Sequence, residues 1–315
     1  MIGRVGVITD TGRKRRHNED AYVCEPPLFA IADGMGGAQA GEVASRLAAA
    51  ALKESATQAG GERRIVDLIQ EANRRVYDRS NTDPNTSGMG TTITVALVEN
   101  GTVAVGHVGD SRAYLIRDGR MEQITEDHSL VNELLKSGKL SPEEAHTHPQ
   151  KSVITRALGT DPDVDVDTFT IGAQPGDVFL LCSDGLTDMV DEGAILELVE
   201  RNRTDIDGAL KALVRAANRG GGEDNITVVA FEIGEEAVHD GKTEEQALPP
   251  ELASRRRVDE EETLDELDAV PTVAEPAAAD EHAQRRQRRR RVMAWLVLLA
   301  FAAAVVAILV WRFLS

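Results

Sequence analysis

Short apolar runs alternate with longer helical stripes over the first 234 residues. Strand-type runs fall at 4–8, 20–24, 28–32, 91–98, 102–108, 112–116 and 121–124, and again at 152–156, 164–171, 177–182 and 226–233. Val43, Leu47, Ala48, Ala51 and Leu52 recur at helical spacing, as do Ile65, Leu68, Ile69, Ala72 and Val76. Ile195, Leu196 and Val199, then Leu210, Leu213 and Val214, supply two more stripes. Stripes of this spacing face a core. Groups of strands broken by pairs of helices predict α+β layers rather than alternating βαβ units.

The pattern changes beyond residue 234. From Glu235 to about Ala283 there is no period, few aromatic residues and many Glu, Asp, Ala and Pro. That composition predicts a disordered acidic linker over 235–291, and Pro249, Pro250, Pro271 and Pro276 exclude one continuous helix. Val292 to Trp311 then gives 20 consecutive uncharged residues. At ~1.5 Å per residue a helix of that length spans a bilayer core, which predicts a transmembrane helix over 292–314. Trp295 and Trp311 stand where interface anchors belong. Six arginines between Gln284 and Arg291, against Arg312 beyond the span, predict a single pass through the cell membrane with the large N-terminal part cytoplasmic.

Charge and cysteine usage narrow the classes. A net charge of −18 argues against a nucleic-acid partner, because such proteins present a basic face to phosphates. Cys24 and Cys182 both lie in apolar runs and read as buried, reduced thiols rather than a disulfide framework. Asp161 to Asp167 alternates acid and valine like the start of a calcium loop, but Val166 and Gly172 occupy the positions that need glycine and glutamate. It reads better as a strand with one wet face. No G-x-G-x-x-G occurs, and the histidines show no zinc spacing: His107 lies in a strand pattern, and His128, His146 and His148 in a polar helical insert.

What remains is a repeated device, an acid at the end of an apolar run. Phe29 to Ala32 delivers Asp33 and Gly34; Val178 to Ser183 delivers Asp184; Thr102 to Gly109 delivers Asp110. In the reverse sense Asp224 opens Ile226–Ile233, and Glu19 with Asp20 opens Ala21–Cys24. If these acids converge they are like charges at close range, tolerable only with a compensating cation. Carboxylates without His or Cys suit hard ions, Mg²⁺ or Mn²⁺.

These residues carry a resemblance. Asp10 to Asp20, Asp33-Gly34-Met35-Gly36-Gly37, Gly88 to Thr92, Val108 to Arg112 and Thr125 to Val131 resemble, in order, motifs of the bacterial metal-dependent protein serine/threonine phosphatases of type 2C. Ile154 to Gly159, Cys182 to Leu186 and Glu223 to Thr227 complete the ordered set, which covers roughly residues 4–233. The resemblance implies a catalytic domain over 1–234, folded as a four-layer sandwich of two antiparallel sheets flanked by helix pairs. It implies two Mn²⁺ or Mg²⁺ ions, with Asp33 bridging them, the Gly34 carbonyl a ligand of one, and Asp184 with Asp224 ligands of the other. Asp110 resembles the ligand of a third, weaker ion. Glu19 and Asp20 would orient metal-bound waters, and Arg15, four residues before Glu19, resembles the family's phosphate-binding arginine. Only spacing selects Arg15 from its neighbours Arg13, Lys14 and Arg16.

The chemistry agrees with those roles. A phosphomonoester dianion needs charge neutralisation and a nucleophile at neutral pH, which two cations supply, and an arginine fork matches phosphoryl oxygens. One departure stands out: many bacterial relatives carry a histidine after the second motif's glycines, where this chain has Ala38. The donor of a proton to the leaving group is unassigned, with His17 and a metal-bound water both open. Asp127 to Arg156 resembles the flap beside the family's active site, with a turn at Ser137-Gly138-Lys139. The expected partners are phosphoproteins, with protein kinases as counterparts. The alternative is a catalytically weak or inactive phosphoprotein-binding module of the same fold, against which the intact Asp33, Asp184 and Asp224 weigh.

Overall fold

Two-residue alternation builds the centre of the molecule. In the computed structural model, β3 (Leu28–Met35) sends Phe29 and Ile31 to one side and Ala30 and Ala32 to the other. β10 (Val178–Cys182) and β11 (Ile226–Ile233) divide in the same way, with Phe179, Leu181, Val229 and Phe231 on the shared inner side. Side chains of period two make two-faced strands, and both faces here are apolar, so each sheet is covered on both sides. The structure describes residues 2–36, 40–54, 60–141, 144–145 and 148–234. The chain divides into Met1–Lys242 and Thr243–Ser315, and the described residues belong to the first unit.

One sheet has the order β1-β11-β10-β7-β8, where β1 is Ile2–Asp10, β7 Arg112–Arg117 and β8 Arg120–Gln123. The other runs β2-β3-β5-β6-β9, with β2 Asp20–Glu25, β5 Ile93–Glu99, β6 Thr102–Val108 and β9 Asp167–Gly172; the short β4 (Gly90–Thr91) pairs with the end of β3. The strand pairings are antiparallel. Between the sheets Phe231 stacks on Phe29 at 4.1 Å and on Phe179 at 5.1 Å. Full burial of each such side chain contributes roughly 1.5–3 kcal/mol.

Helices cover the outer faces. α1 (Ala40–Glu54) and α2 (Gly61–Thr82) bury Ala44, Ala48, Ile65, Leu68, Ile69 and Val76 against the second sheet. α2 stops at Asp83 because Pro84 cannot continue it, and Asp83 instead caps a 3₁₀ turn, accepting from the Asn85 amide. α5 (Glu192–Arg201) and α6 (Ile206–Gly220) bury Ile195, Val199, Leu210, Leu213 and Val214 against the first sheet. Their N-termini are capped by Asp191 and Asp205. The layers are therefore helix pair, sheet, sheet, helix pair.

The structure corrects four local expectations. Residues 152–156 form no strand and make only an isolated bridge, Ile154 to Ser129 at the start of α3 (Leu130–Lys136), beside which the Arg156 side chain meets Asp167 of β9. Asp161 to Val166 is a loop and β9 begins at Asp167, because α2 side chains take the carbonyls a strand would pair: Asn73 Nδ2 donates to Asp161 O and Pro162 O, and Gln70 Nε2 to Val164 O. His128 is not in a helical insert but buried just before α3, whose start is fixed by the Ser129 hydroxyl accepting from the Asn132 amide. Cys182 is buried, whereas Cys24 is only partly so; both are free thiols. The turn at Ser137-Gly138-Lys139 closes α3, with Gly138 at φ +68°.

The expected linker at 235–291, the transmembrane helix at 292–314 and Ala38 lie outside the described residues. Among the described residues no helix is long and apolar enough to cross a membrane.

Candidate active site

Asp33 sits near the end of β3, directly opposite Asp20 in the β2–β3 register. Its backbone is held rather than its carboxylate: the Asp33 amide donates to Thr92 Oγ1 at 3.1 Å, and Asp33 O accepts from the Thr91 hydroxyl and the Thr92 amide. Gly34 follows where no side chain fits, since a Cβ would lie 2.1 Å from the Gly41 carbonyl oxygen of α1. Asp184 is the first residue of the short α4 (Asp184–Thr187), at the end of β10. Asp224 precedes β11, and Asp110 follows β6 through Gly109.

These strand ends meet. Arg15, Glu19, Asp33, Asp110, Asp184 and Asp224 line one cleft of about 390 Å³. A second cleft of about 510 Å³ shares Asp110 and Asp184 with it and runs under α3. Burial drives the Asp33 and Asp184 carboxyls far above the usual carboxylate range, and the neighbouring acids add to it: Asp20, Asp184, Asp110 and Asp224 on Asp33, with Asp110 and Asp224 prominent on Asp184. Asp20 is pushed up to about 6 by burial, against hydrogen bonds that pull it down. Asp110 is pushed up to about 7 by burial and by Asp127. Glu19 is raised by burial, with Arg15 opposing.

Two carboxylate oxygens in this cluster, Asp20 Oδ1 and Asp184 Oδ1, are shut away from solvent without a hydrogen-bond partner. Orphaned buried acceptors cost about 1–3 kcal/mol each, and the cost of unpaired charge is larger. The donor set is all oxygen, so the residues fit hard divalent cations. Among the described residues no three acidic, His or Cys side chains close into a ready-made cage.

Arg15 lies at the rim, its Nη2 donating to Asp224 Oδ2 at 2.6 Å. Burial works against its charge, but Asp224 outweighs that and raises its pKa. Glu19 is placed by its backbone: its amide donates to Asn225 Oδ1 at 2.7 Å, and its carbonyl accepts from the Gly34 amide and the Ser45 hydroxyl. His17 is exposed, and its carbonyl accepts from Asn225 Nδ2.

Several neutral or uncharged residues beside the acids organise the cleft. Asn225 ties the β1–β2 loop to β11 through three hydrogen bonds, to Glu19 N, Thr11 O and His17 O. Ser183 donates to Asp20 Oδ2 at 3.0 Å. His128 grips Gly109 from both sides, its amide donating to Gly109 O at 2.7 Å and its Nδ1 accepting from Gly109 N at 3.0 Å. Nδ1 being the acceptor, Nε2 carries the proton and donates to Asp167 Oδ2 at 3.1 Å. Burial lowers the ring's pKa, with the Asp167 hydrogen bond opposing. The only signal for these residues was adjacency to an acid.

A protein-family model described as protein phosphatase 2C matches residues 13–218. A serine/threonine phosphatase stp of Listeria innocua is 42% identical over 236 residues, which cover 71% of this chain and 93% of that protein. The crystal structure of the Mycobacterium tuberculosis serine/threonine phosphatase PstP/Ppp superposes with a TM-score of 0.70 at 38% identity, over 74% of this chain and all of that one. The catalytic domain of a serine/threonine protein phosphatase PstP, solved in complex with two manganese ions, superposes at 0.68 with 36% identity, over 74% of this chain and 99% of that one.

Proposed function

The chain belongs to the protein phosphatase 2C family, and from that premise we propose that it hydrolyses phosphoserine and phosphothreonine esters on proteins at a centre holding two Mn²⁺ or Mg²⁺ ions. The observation that carries this reading is the convergence of Asp20, Asp33, Asp110, Asp184 and Asp224, with two buried carboxylate oxygens lacking partners. Asp33, the Gly34 carbonyl, Asp184 and Asp224 would hold the two ions, and Asp110 a third, weaker one. When bound, the ions neutralise a phosphomonoester dianion and make water a nucleophile at neutral pH.

The chain's own residues do the rest. Arg15 spends one donor on Asp224, leaving the remainder of its planar fork for phosphoryl oxygens at the cleft mouth. Ser183 holds the Asp20 carboxylate and Asn225 the Glu19 backbone, which places both acids to orient water. The clefts on either side of Asp110 and Asp184 leave room for a peptide rather than only a small ester.

The membrane reading rests on sequence. The apolar run 292–314 behind the arginine cluster would hold the catalytic unit at the cytoplasmic face, and the linker 235–291 would set its reach to membrane-bound kinases and their substrates. Membrane flotation of the full chain, with a truncation after residue 291 as the soluble control, tests that part. The catalytic part is tested by phosphate release from a phosphothreonine peptide in Mn²⁺, in Mg²⁺ and in chelator. Metal-dependent release is expected, and phosphopeptide binding without turnover would favour the non-catalytic module instead.

A further inference from the structure

The loop from Thr11 to Glu19 carries five consecutive basic side chains, Arg13 to His17, in a chain whose net charge is −18. Its backbone is fixed at many points. Asn225 Nδ2 donates to the carbonyls of both stems, Thr11 O and His17 O, each at 3.0 Å. The Arg13 and Lys14 amides both donate to Gly222 O, at 2.7 and 3.1 Å. Gly12 adopts φ +76° with its missing Cβ 2.2 Å from the Asp224 carbonyl oxygen, and its amide donates to Asp10 Oδ1. A loop so pinned fixes where its side chains leave the backbone.

The four permanently charged side chains, Arg13 to Arg16, divide into two groups. Arg15 reaches into the cleft and meets Asp224. Arg13, Lys14 and Arg16 are exposed, and no hydrogen bond or ion pair engages their side chains among the described residues. Some exposed arginines elsewhere hold carboxylates, as Arg74 holds Glu71 and Asp78 and Arg201 holds Glu197, and others, such as Arg63, Arg120 and Arg219, stand singly without an ion pair among the described residues; Arg13, Lys14 and Arg16 are clustered. Cations left without partners beside a phosphate-binding arginine form a local positive rim on an acidic protein.

Resting on the phosphatase reading above, we infer that Arg13, Lys14 and Arg16 form a docking rim for the acidic residues that flank a phosphoserine or phosphothreonine, so that the enzyme selects acid-flanked phosphopeptides. A peptide that lays its phosphate on Arg15 must carry its neighbouring residues past the same loop. Acidic neighbours gain three unpaired cations there, while basic neighbours meet like charge. The net charge of −18 works against acidic peptides away from the rim, and high salt weakens the preference.

The test uses the full chain with Mn²⁺ and three phosphothreonine peptides, flanked by Asp/Glu, by Ser/Ala and by Lys, beside p-nitrophenyl phosphate. Individual exposed ion pairs are weak, so kcat/KM is expected to favour the acidic peptide over the lysine peptide by about tenfold at low salt, chiefly through KM. Arg13→Gln/Lys14→Gln/Arg16→Gln removes the preference and the corresponding Glu triple inverts it, both leaving p-nitrophenyl phosphate turnover unchanged. Equal use of the three peptides by the wild type, or an unaltered preference in both triples, overturns the rim. Faster turnover of every substrate in the Glu triple also overturns it, placing the chain's own acidic segment on the loop. Failure of the wild type to hydrolyse any substrate contradicts the phosphatase reading itself, and the rim falls with it.

Discussion

Arg15 and Asp224 meet at 2.6 Å at the mouth of the cleft, one residue selected by spacing from four neighbouring cations and the other by its place before a strand. Charge-assisted contacts to a phosphoryl group contribute about 1.5–3 kcal/mol, so Arg15→Ala is expected to lower kcat/KM on a phosphopeptide by roughly 10- to 100-fold. Arg15→Lys should restore only part of this, because an ammonium cannot reproduce the fork; steady-state kinetics on both variants checks it. Asn225 has a different burden. Replacing it with Ala leaves the Glu19 amide and two carbonyls without their partner, an expected loss of about 2–4 kcal/mol by denaturant unfolding. The acids were legible in the sequence because each ends an apolar run, whereas Asn225, Ser183 and Thr92 are neutral polar residues whose partners lie far off in the chain. Nothing in local pattern encodes a contact across 206 residues, as between Glu19 and Asn225.

At the scale of elements, the strand pattern found the strands of both sheets except the two-residue β4, which adjoins the run expected at 91–98, and it failed where tertiary contacts replaced pairing. Asp161 to Val166 had the alternation of a strand, but α2 was close enough to satisfy its carbonyls with Asn73 and Gln70. Asn73 is fully buried in the otherwise apolar stripe of α2, where its Oδ1 also accepts from the Gly159 amide at 2.8 Å. Asn73→Ala should therefore cost about 2–4 kcal/mol, read by chemical denaturation, and loosen the loop ahead of β9 rather than the cleft. Preserved Mn²⁺-dependent turnover at low temperature would accompany that loss, and inactivity of a folded Asn73→Ala protein would contradict it. His128 departs from the local pattern for a similar reason. Its polar neighbours suggested an exposed helix, but Gly109 and Asp167 draw the ring inside.

Over the whole molecule, two sheets packed face to face bring acids from five separate strand ends to one place, and the fold carries the electrostatic cost of holding them there. Asp20 and Asp110 are raised to about 6 and about 7 by burial first, above the ordinary carboxylate range. The folded chain then binds protons more tightly than the unfolded one, so this contribution to stability is full below about pH 4 and is lost as pH rises through the folded values. Without metal, stability attributable to the cluster should fall between about pH 4 and pH 7. Divalent cations compete with those protons, so the rise in Tm on adding Mn²⁺ should be larger at pH 8 than at pH 5. A Tm increment that is equal at both, measured by scanning calorimetry with and without chelator, would count against a carboxylate metal centre.

The most direct measurement compares wild type with Asp184→Asn for phosphate release from a phosphothreonine peptide across a Mn²⁺ titration, with the melting temperature of each metal-free protein taken alongside. The substitution replaces a buried carboxyl whose Oδ1 has no partner. Metal-free Asp184→Asn should melt at or above the wild-type temperature, yet show no Mn²⁺-dependent turnover where the wild type turns over. Wild-type rates from a stable Asp184→Asn protein, or turnover by the wild type that chelator leaves untouched, would contradict the two-metal account.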